Sequence, residues 1–376
     1  MSNIKYKINP DRMLPWNDLP ELPIDDSIFK TTEILEQLGE SKAALARLHG
    51  RSVVIPNQGM LINTISLQEA KASSEIENIF TTDDELYKEF SDQKNEKQGA
   101  AKEILKYREA LWKGHQYLNE KTIFDVPYFI QMFQEIKQTT DEIRPDFIHT
   151  TIKQGGSGAN SGKVIYTPPK GVSVINEKLN NLISYLNDDK QFKIDHLLKM
   201  AIAHYQFEAI HPFRDGNGRT GRVFNIHYLT NKGLLDFPIL FLSRFILNNK
   251  DDYYAGLNGV TQRGDWENWI MYMLKAIEST SNYTFDRINE IMSAKDSILE
   301  YVKKEAPKIR KPDELIQAIF TQPFTKVKHL QDKKIYSEAT ARDYLNLLTS
   351  LRILERKTID GHHYYLNIEL YRILQS

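Results

Sequence analysis

Between residues 193 and 233 the chain carries a helix that must stop, a turn built on glycine and a second helix. This unit constrains the molecule more than any other feature. Ile194, Leu197, Leu198, Ala201, Ile202 and Tyr205 recur at helical spacing and form one wide apolar face. The residue before a proline avoids helical angles, so this helix should end near Ile210, ahead of Pro212. The next should begin near Gly218 and stop at Asn231-Lys232-Gly233. The connection reads His211-Pro212-Phe213-Arg214-Asp215-Gly216-Asn217-Gly218-Arg219-Thr220-Gly221-Arg222. Gly216 and Gly218 permit positive φ and let backbone N–H groups approach a ligand. The start of the following helix offers free N–H groups and partial positive charge, an anion site. Arg219 and Arg222 lie three apart and point to one side of its first turn. With Asn217 they make a polyphosphate cradle. Asp215 is a hard oxygen ligand that would hold Mg²⁺ beside a polyphosphate. His211 can take a proton near neutral pH. A base, a metal carboxylate and a phosphate cradle together suggest group transfer from a nucleotide to a hydroxyl.

Two look-alike patterns fail on context. Gly216-x-Gly218-x-x-Gly221 matches the dinucleotide fingerprint, but a helical pattern precedes it where that fingerprint needs a strand. The segment around Gly158 to Val164 misses a phosphate loop, which would need glycine at Ser157 and Ser or Thr at Val164.

The rest of the chain is mainly helical. Helical patterns run from Phe29 to Leu48, with Gly39 as a break, from Gly59 to Ile79, from Lys102 to Leu118 and from Val126 to Thr139. The charged stretch from Thr81 to Glu103 reads as a solvated helix face or loop. Arg144 to Pro169, rich in Gly and Ser between β-formers, reads as a hairpin flap. The chain has no cysteine, which excludes disulfides, thiolate catalysis and Cys-type metal sites. A net charge of −1 gives no whole-chain sign of nucleic acid or membrane binding. The first residues show no apolar signal core, and the richest apolar run, Gly233 to Leu247, is broken by Asp236, Pro238 and Arg244; a cytoplasmic protein with no membrane partner is expected.

His211 to Arg222 matches HPFx[D/E]GNGRxxR at every fixed position, and the chain thereby resembles the Fic family. The resemblance implies a Fic-type helical core that transfers AMP from ATP to Tyr, Thr or Ser hydroxyls of a target protein, with Mg²⁺ as cofactor and ATP as co-substrate. It implies that His211 is the base and that Asp215 binds the metal. It places Asn217, Gly218 and Arg219 on the α- and β-phosphates and Arg222 on the γ-phosphate, with Gly216 also part of the ATP-binding loop. Phe213 would face the core. Lys163, Val164, Ile165 and Tyr166 resemble the family flap that pairs with the target segment, and Tyr253-Tyr254 resemble the pair flanking adenine. An adenine-contacting Asn of some members falls near Thr261. Other transfers on this fold remain open: phosphorylation, another nucleotide, or removal of AMP.

Ser73-Ser74-Glu75-Ile76-Glu77-Asn78 matches the family's inhibitory motif [S/T]xxxE[G/N]. The resemblance implies that Glu77, supported by Ser73 and Asn78, pairs with Arg222 and takes the place of the γ-phosphate; self-modification is expected once that pairing is lost. The last part, from Tyr301, holds 14 basic and 9 acidic residues. It reads as helix (Asp313 to Phe320), short helix (Phe324 to Leu330), helix (Ser337 to Leu351) and two strands around Asp360-Gly361, a winged helix. Its partner would be a target protein or a second copy of the chain in preference to DNA, although DNA binding through Arg342 makes a nucleotide-sensing regulator the alternative of another class. The expected domains are an N-terminal helical region carrying the inhibitory motif (1–100), a Fic core (101–300) and a winged-helix domain (312–376).

Overall fold

A computed structural model describes residues 11–55, 58–92, 99–153, 162–359 and 361–375. Five helices come first: α1 (Thr32–Val53), α2 (Gln58–Ile76), α3 (Asp83–Asp92), α4 (Ala100–Lys121) and α5 (Val126–Lys137). A hairpin of β1 (Ile152–Lys153) and β2 (Val164–Tyr166) interrupts them. Six more follow: α6 (Val172–Asn187), α7 (His196–Ile210), α8 (Asn217–Asn231), α9 (Leu242–Asn248), α10 (Lys250–Arg263) and the 40-residue α11 (Trp266–Glu305). The C-terminal domain is α12 (Pro312–Ile319), β3 (Phe324–Thr325), α13 (Val327–Asp332), α14 (Glu338–Ser350), β4 (Leu354–Ile359), β5 (His362–Asn367) and α15 (Ile368–Gln375). Its sheet is antiparallel in the order β3-β5-β4, so helix, strand, two helices and a two-stranded wing follow in winged-helix order.

Helix starts follow local chemistry. Thr31, Asp125, Asp195 and Ser337 each cap a helix by accepting a backbone N–H in its first turn. Helix α11 is the spine: α1 lies along it, α7 and α9 pack on it, and α12 and α15 join it to the C-terminal domain. Helix α7 buries 13 of its 15 residues and α8 buries 12 of 15.

Several expectations need correction. Gly39 does not break α1, because one exposed glycine costs only about 1 kcal/mol and α11 supplies packing along the whole helix. The charged stretch contains α3, whose Leu86, Tyr87 and Phe90 are buried. The wide apolar face of α7 proves to be a helix buried all round, with Lys199, His204 and Gln206 inside. The short helix expected from Phe324 begins at Val327, since Phe324 and Thr325 pair with Leu366 and Tyr365 as a third strand. The hairpin tip (154–161) and Asp360 lie outside the described residues.

Candidate active site

The segment between α7 and α8 is fixed from both sides. His211 caps α7 in a left-handed conformation (φ 49°, ψ 59°) and donates its N–H to the Phe207 carbonyl at 3.0 Å. A non-glycine residue adopts this region at a cost of about 1 kcal/mol and needs surrounding structure to hold it. Arg144 supplies that hold. Its side chain donates to the carbonyls of His211 (2.8 Å), Ile210 (3.4 Å) and Pro169, and its backbone N–H to that of Pro212 (3.0 Å). Phe213 stacks on Phe133 of α5, with centroids 4.3 Å apart and planes within 5°. Asn217 clips the turn by bonding both the N–H and the carbonyl of Phe213, at 2.9 and 2.8 Å.

Gly216 then takes φ 78° as the N-cap of α8, and no side chain caps this helix. Its first turn therefore presents backbone N–H groups as an anion site. The Asn217 amide oxygen and one of its two amide N–H groups are thus committed to Phe213.

An anion already occupies that turn. The Glu77 carboxylate lies so close to Gly218 that a Cβ there would sit 2.4 Å from Oε1. Arg222, 1% exposed, donates to Glu77 Oε1 (2.8 Å), to Ser73 Oγ (2.8 Å) and to the Ser73 carbonyl (2.9 Å). Burial raises the Glu77 pKa, but Arg222, Arg219 and Lys250 more than offset it and hold the carboxyl below its ordinary range. Asn78 ends α2 at φ 62°, a conformation that Gly and Asn adopt most easily, which explains why either residue suits this position. Lys250 donates to the Ile76 carbonyl and so closes the same end of α2 from α10.

The remaining charges form a chain. Asp215, whose side chain is 69% exposed, meets the ammonium of Lys137 at 2.7 Å. Burial raises its pKa, but Lys137 and the Gly216 N–H more than offset this, for a net downward shift. Arg219, 2% exposed, donates to Glu103 at 2.6 Å. The His211 ring is half-buried; burial first and Arg144 second push its pKa down to about 4, so it is neutral at physiological pH. Burial also pushes Glu208, one turn earlier, up to about 8, and its Oε1 has no hydrogen-bond partner. Gly221 admits that carboxyl, since a Cβ would lie 2.4 Å from it.

Family models match three consecutive parts of the chain: Fic/DOC family N-terminal over residues 35–116, Fic/DOC family over 117–229, and the C-terminal domain of SoFic-like protein adenylyltransferases over 295–370. The chain belongs to the Fic/DOC family. Protein adenylyltransferase fic-1 of Caenorhabditis elegans is 32% identical over 151 residues, 40% of this chain and 27% of that protein. A probable protein adenylyltransferase of Aquifex aeolicus is 36% identical over 81 residues, 22% of this chain and 24% of that one. The chain thus spans about a quarter of the length of these relatives. Among solved structures, a Fic family protein from Desulfovibrio desulfuricans aligns with a TM-score of 0.53 at 19% identity, covering 92% of this chain and 98% of its own. A Fic-1 fragment from C. elegans aligns with a TM-score of 0.52 at 18% identity, covering 68% and 74%. These similarities share the fold.

The described part of the hairpin in this Fic chain is anchored to the core. Ile152 pairs with Tyr166 and Lys153 with Val164. Tyr166 is buried and donates to the Ala209 carbonyl at 2.7 Å, two residues before His211. Lys163 is exposed, and Val164 and Ile165 are half-buried. The tyrosine pair divides: Tyr253 is buried, with its hydroxyl 2.9 Å from His204 Nε2, whereas Tyr254 is 41% exposed. Tyr254 is therefore the member of the pair open to a ligand. Thr261 is buried against the Tyr205 hydroxyl at 2.9 Å. Sequence reading missed Arg144, Glu103, Lys137, Glu208 and Lys250. Their only signal is tertiary, because four of them reach the Fic loop from another element or across a helical turn and Lys250 reaches the end of α2 beneath Glu77.

No group of three or more metal-ligating side chains exists among the described residues. A magnesium site that takes one carboxylate and completes its shell with phosphate oxygens and water needs none. Asp215 fits that role: it is exposed, and one of its oxygens already draws a cation, the Lys137 ammonium.

Proposed function

We propose that this chain is a protein adenylyltransferase that moves AMP from ATP to a hydroxyl side chain of a target protein and is held back by Glu77. One observation carries the reading: a carboxylate held by Arg222 already sits over the uncapped start of α8, which marks that turn as an anion cradle. Three polyphosphate-binding features converge there, namely the backbone N–H groups, Arg219 and Arg222. Mg²⁺, when bound, would be held by Asp215 with phosphate oxygens and would neutralise polyphosphate charge. The target hydroxyl oxygen attacks the α-phosphorus, its proton passes to the neutral His211 ring, and the bond to the bridging oxygen breaks to release pyrophosphate. Strand addition along Val164 to Tyr166 would present the hydroxyl with little demand on its sequence context.

Glu77 acts through geometry. While it holds Arg222, the γ-phosphate has no guanidinium, and misplacement of the α-phosphorus by about an ångström costs about a hundredfold in rate. Loss of Glu77 therefore permits transfer to targets and to the chain itself.

Incubation with Mg²⁺ and either α- or γ-labelled ATP tests the reaction. Protein-bound label from α-labelled ATP alone is the expected result. Label from γ-labelled ATP would show phosphoryl transfer, and no label from either would favour a nucleotide sensor.

The C-terminal domain has a groove of about 600 Å³ lined by α13, α14 and the wing, with Lys326, Lys328, Arg342 and Arg356 beside Asp332 and Glu338. This mixed charge suits docking of a target protein better than a nucleic acid backbone. A mobility shift on duplex DNA that weakens as salt rises would reverse that assignment.

A further inference from the structure

Two residues outside the signature complete a line of four alternating charges. Asp215 Oδ2 lies 2.7 Å from Lys137 Nζ, Lys137 Nζ lies 3.5 Å from Glu103 Oε1, and the same Glu103 oxygen lies 2.6 Å from Arg219 Nη1. Lys137 is the last residue of α5 and Glu103 lies in the first turn of α4, two helices that pack together behind the loop. The lysine stem rests on Gly216, where a Cβ would meet Cγ and Cδ at 3.0 Å. The line is electrically neutral. Its two ends are the residues assigned above to the cation and to the phosphates.

The buried end is only half satisfied. Arg219 is 2% exposed, and its Nε has no hydrogen-bond partner. A guanidinium so placed has donors left for an incoming anion. A polyphosphate that takes Arg219 must draw it from Glu103, and a cation that takes Asp215 must draw it from Lys137. Either displacement alone leaves three charges that no longer cancel, one carboxylate or one cation in excess, which is unfavourable in a half-buried site. Both together leave Lys137 and Glu103 with each other, at a separation they nearly have already.

Resting on the nucleotide reading of this site, we propose that Lys137 and Glu103 are positioning residues that exchange partners: they hold Asp215 and Arg219 while the site is empty and close on one another when metal and nucleotide enter. The exchange makes cation binding and phosphate binding favour each other, because only their joint arrival leaves every charge paired. It also keeps Arg219 and Asp215 in place beforehand, at the expense of some affinity for either ligand alone.

The experiment measures binding to the full chain, not turnover. A fluorescent ATP analogue is titrated in EDTA and again with Mn²⁺, and Mn²⁺ alone is followed by its electron paramagnetic resonance signal. Glu103→Gln weakens the hold on Arg219, so metal-free analogue binds about fivefold tighter, equivalent to about 1 kcal/mol. Lys137→Met frees Asp215, so Mn²⁺ alone binds tighter by a similar factor, and the gain in nucleotide affinity on adding Mn²⁺ shrinks. Lys137→Arg keeps the charge and retains the wild-type coupling, which separates the exchange from simple damage to the fold. Unchanged or weaker binding in both Glu103→Gln and Lys137→Met, with wild-type chain binding the analogue and Arg219→Ala not, overturns the exchange while leaving the nucleotide site standing. Failure of the wild type to bind the analogue overturns the nucleotide reading and the exchange with it.

Discussion

The α7–α8 pair and the C-terminal domain treat charge in opposite ways. Helix α8 carries Arg219 and Arg222 almost wholly out of water, each matched to a carboxylate from a distant element. Helix α14 buries only Ala341, Leu345 and Leu348, and its Arg342 pairs with Glu338 one turn away at 59% exposure for each. A buried pair is expensive to break because the surviving charge has no water to turn to, whereas an exposed pair contributes little and exchanges freely. The first arrangement can store a state and the second cannot. The Glu77–Arg222 contact in the core therefore suits the restraining role proposed for it, while the C-terminal domain offers surface. The C-terminal domain meets α3 through polar contacts: Asp84 and Asp92 accept the Tyr371 and Tyr364 hydroxyls at 2.8 to 2.9 Å and pair with Lys357 and Lys326.

The contrast is sharpest at His211. Replacement by alanine should lower AMP transfer about a thousandfold, the range of general-base catalysis, while a fluorescent ATP analogue still binds. The pH profile adds a second reading. The ring's pKa is lowered to about 4, so the base form is present above that value and lost only as pH falls through it. In the Glu77→Gly chain no acidic limb from His211 is expected between pH 5 and 7, and a limb near 6.5 would show a solvated ring. Arg144→Ala comes next. It leaves the carbonyls of Ile210, His211 and Pro169 without their donor and should cost about 2 to 4 kcal/mol in denaturant unfolding. A loss below about 0.5 kcal/mol, the size of a surface effect, would erase the distinction between the two regions. Glu77→Gly should raise label incorporation from α-labelled ATP by about tenfold or more. Equal labelling of wild type and variant would remove the brake. At the small end, Arg342→Ala should change stability by about 0.5 kcal/mol or less and leave transfer to the chain itself unaltered.

Much of the site was legible locally. The helix stop before Pro212, the glycine turn at Gly216 and the pair Arg219 and Arg222 follow from residue type and spacing. The apolar face of α7 was read correctly as helix but not as a helix without a solvent side, because periodicity shows where apolar residues lie and is silent on what covers the rest. The third strand of the C-terminal sheet and α15 escaped for a similar reason, as a two-residue strand is defined by its partner. Tyr253 and Tyr254 look alike in sequence; only packing sends one inward to His204 and leaves the other exposed.

The amino-acid sequence by itself determined the loop, its chemical groups and the left-handed turn that Asn78 makes at the end of α2, since each depends on backbone preferences over a few residues. Tertiary structure alone decided which carboxylate meets which arginine: Glu77 stands 145 positions from Arg222, and Glu103 stands 116 from Arg219. Spacing along a chain carries no information about such partners. Helix packing brings them together, and the partial removal of water around them strengthens their attraction and makes either partner costly to leave alone.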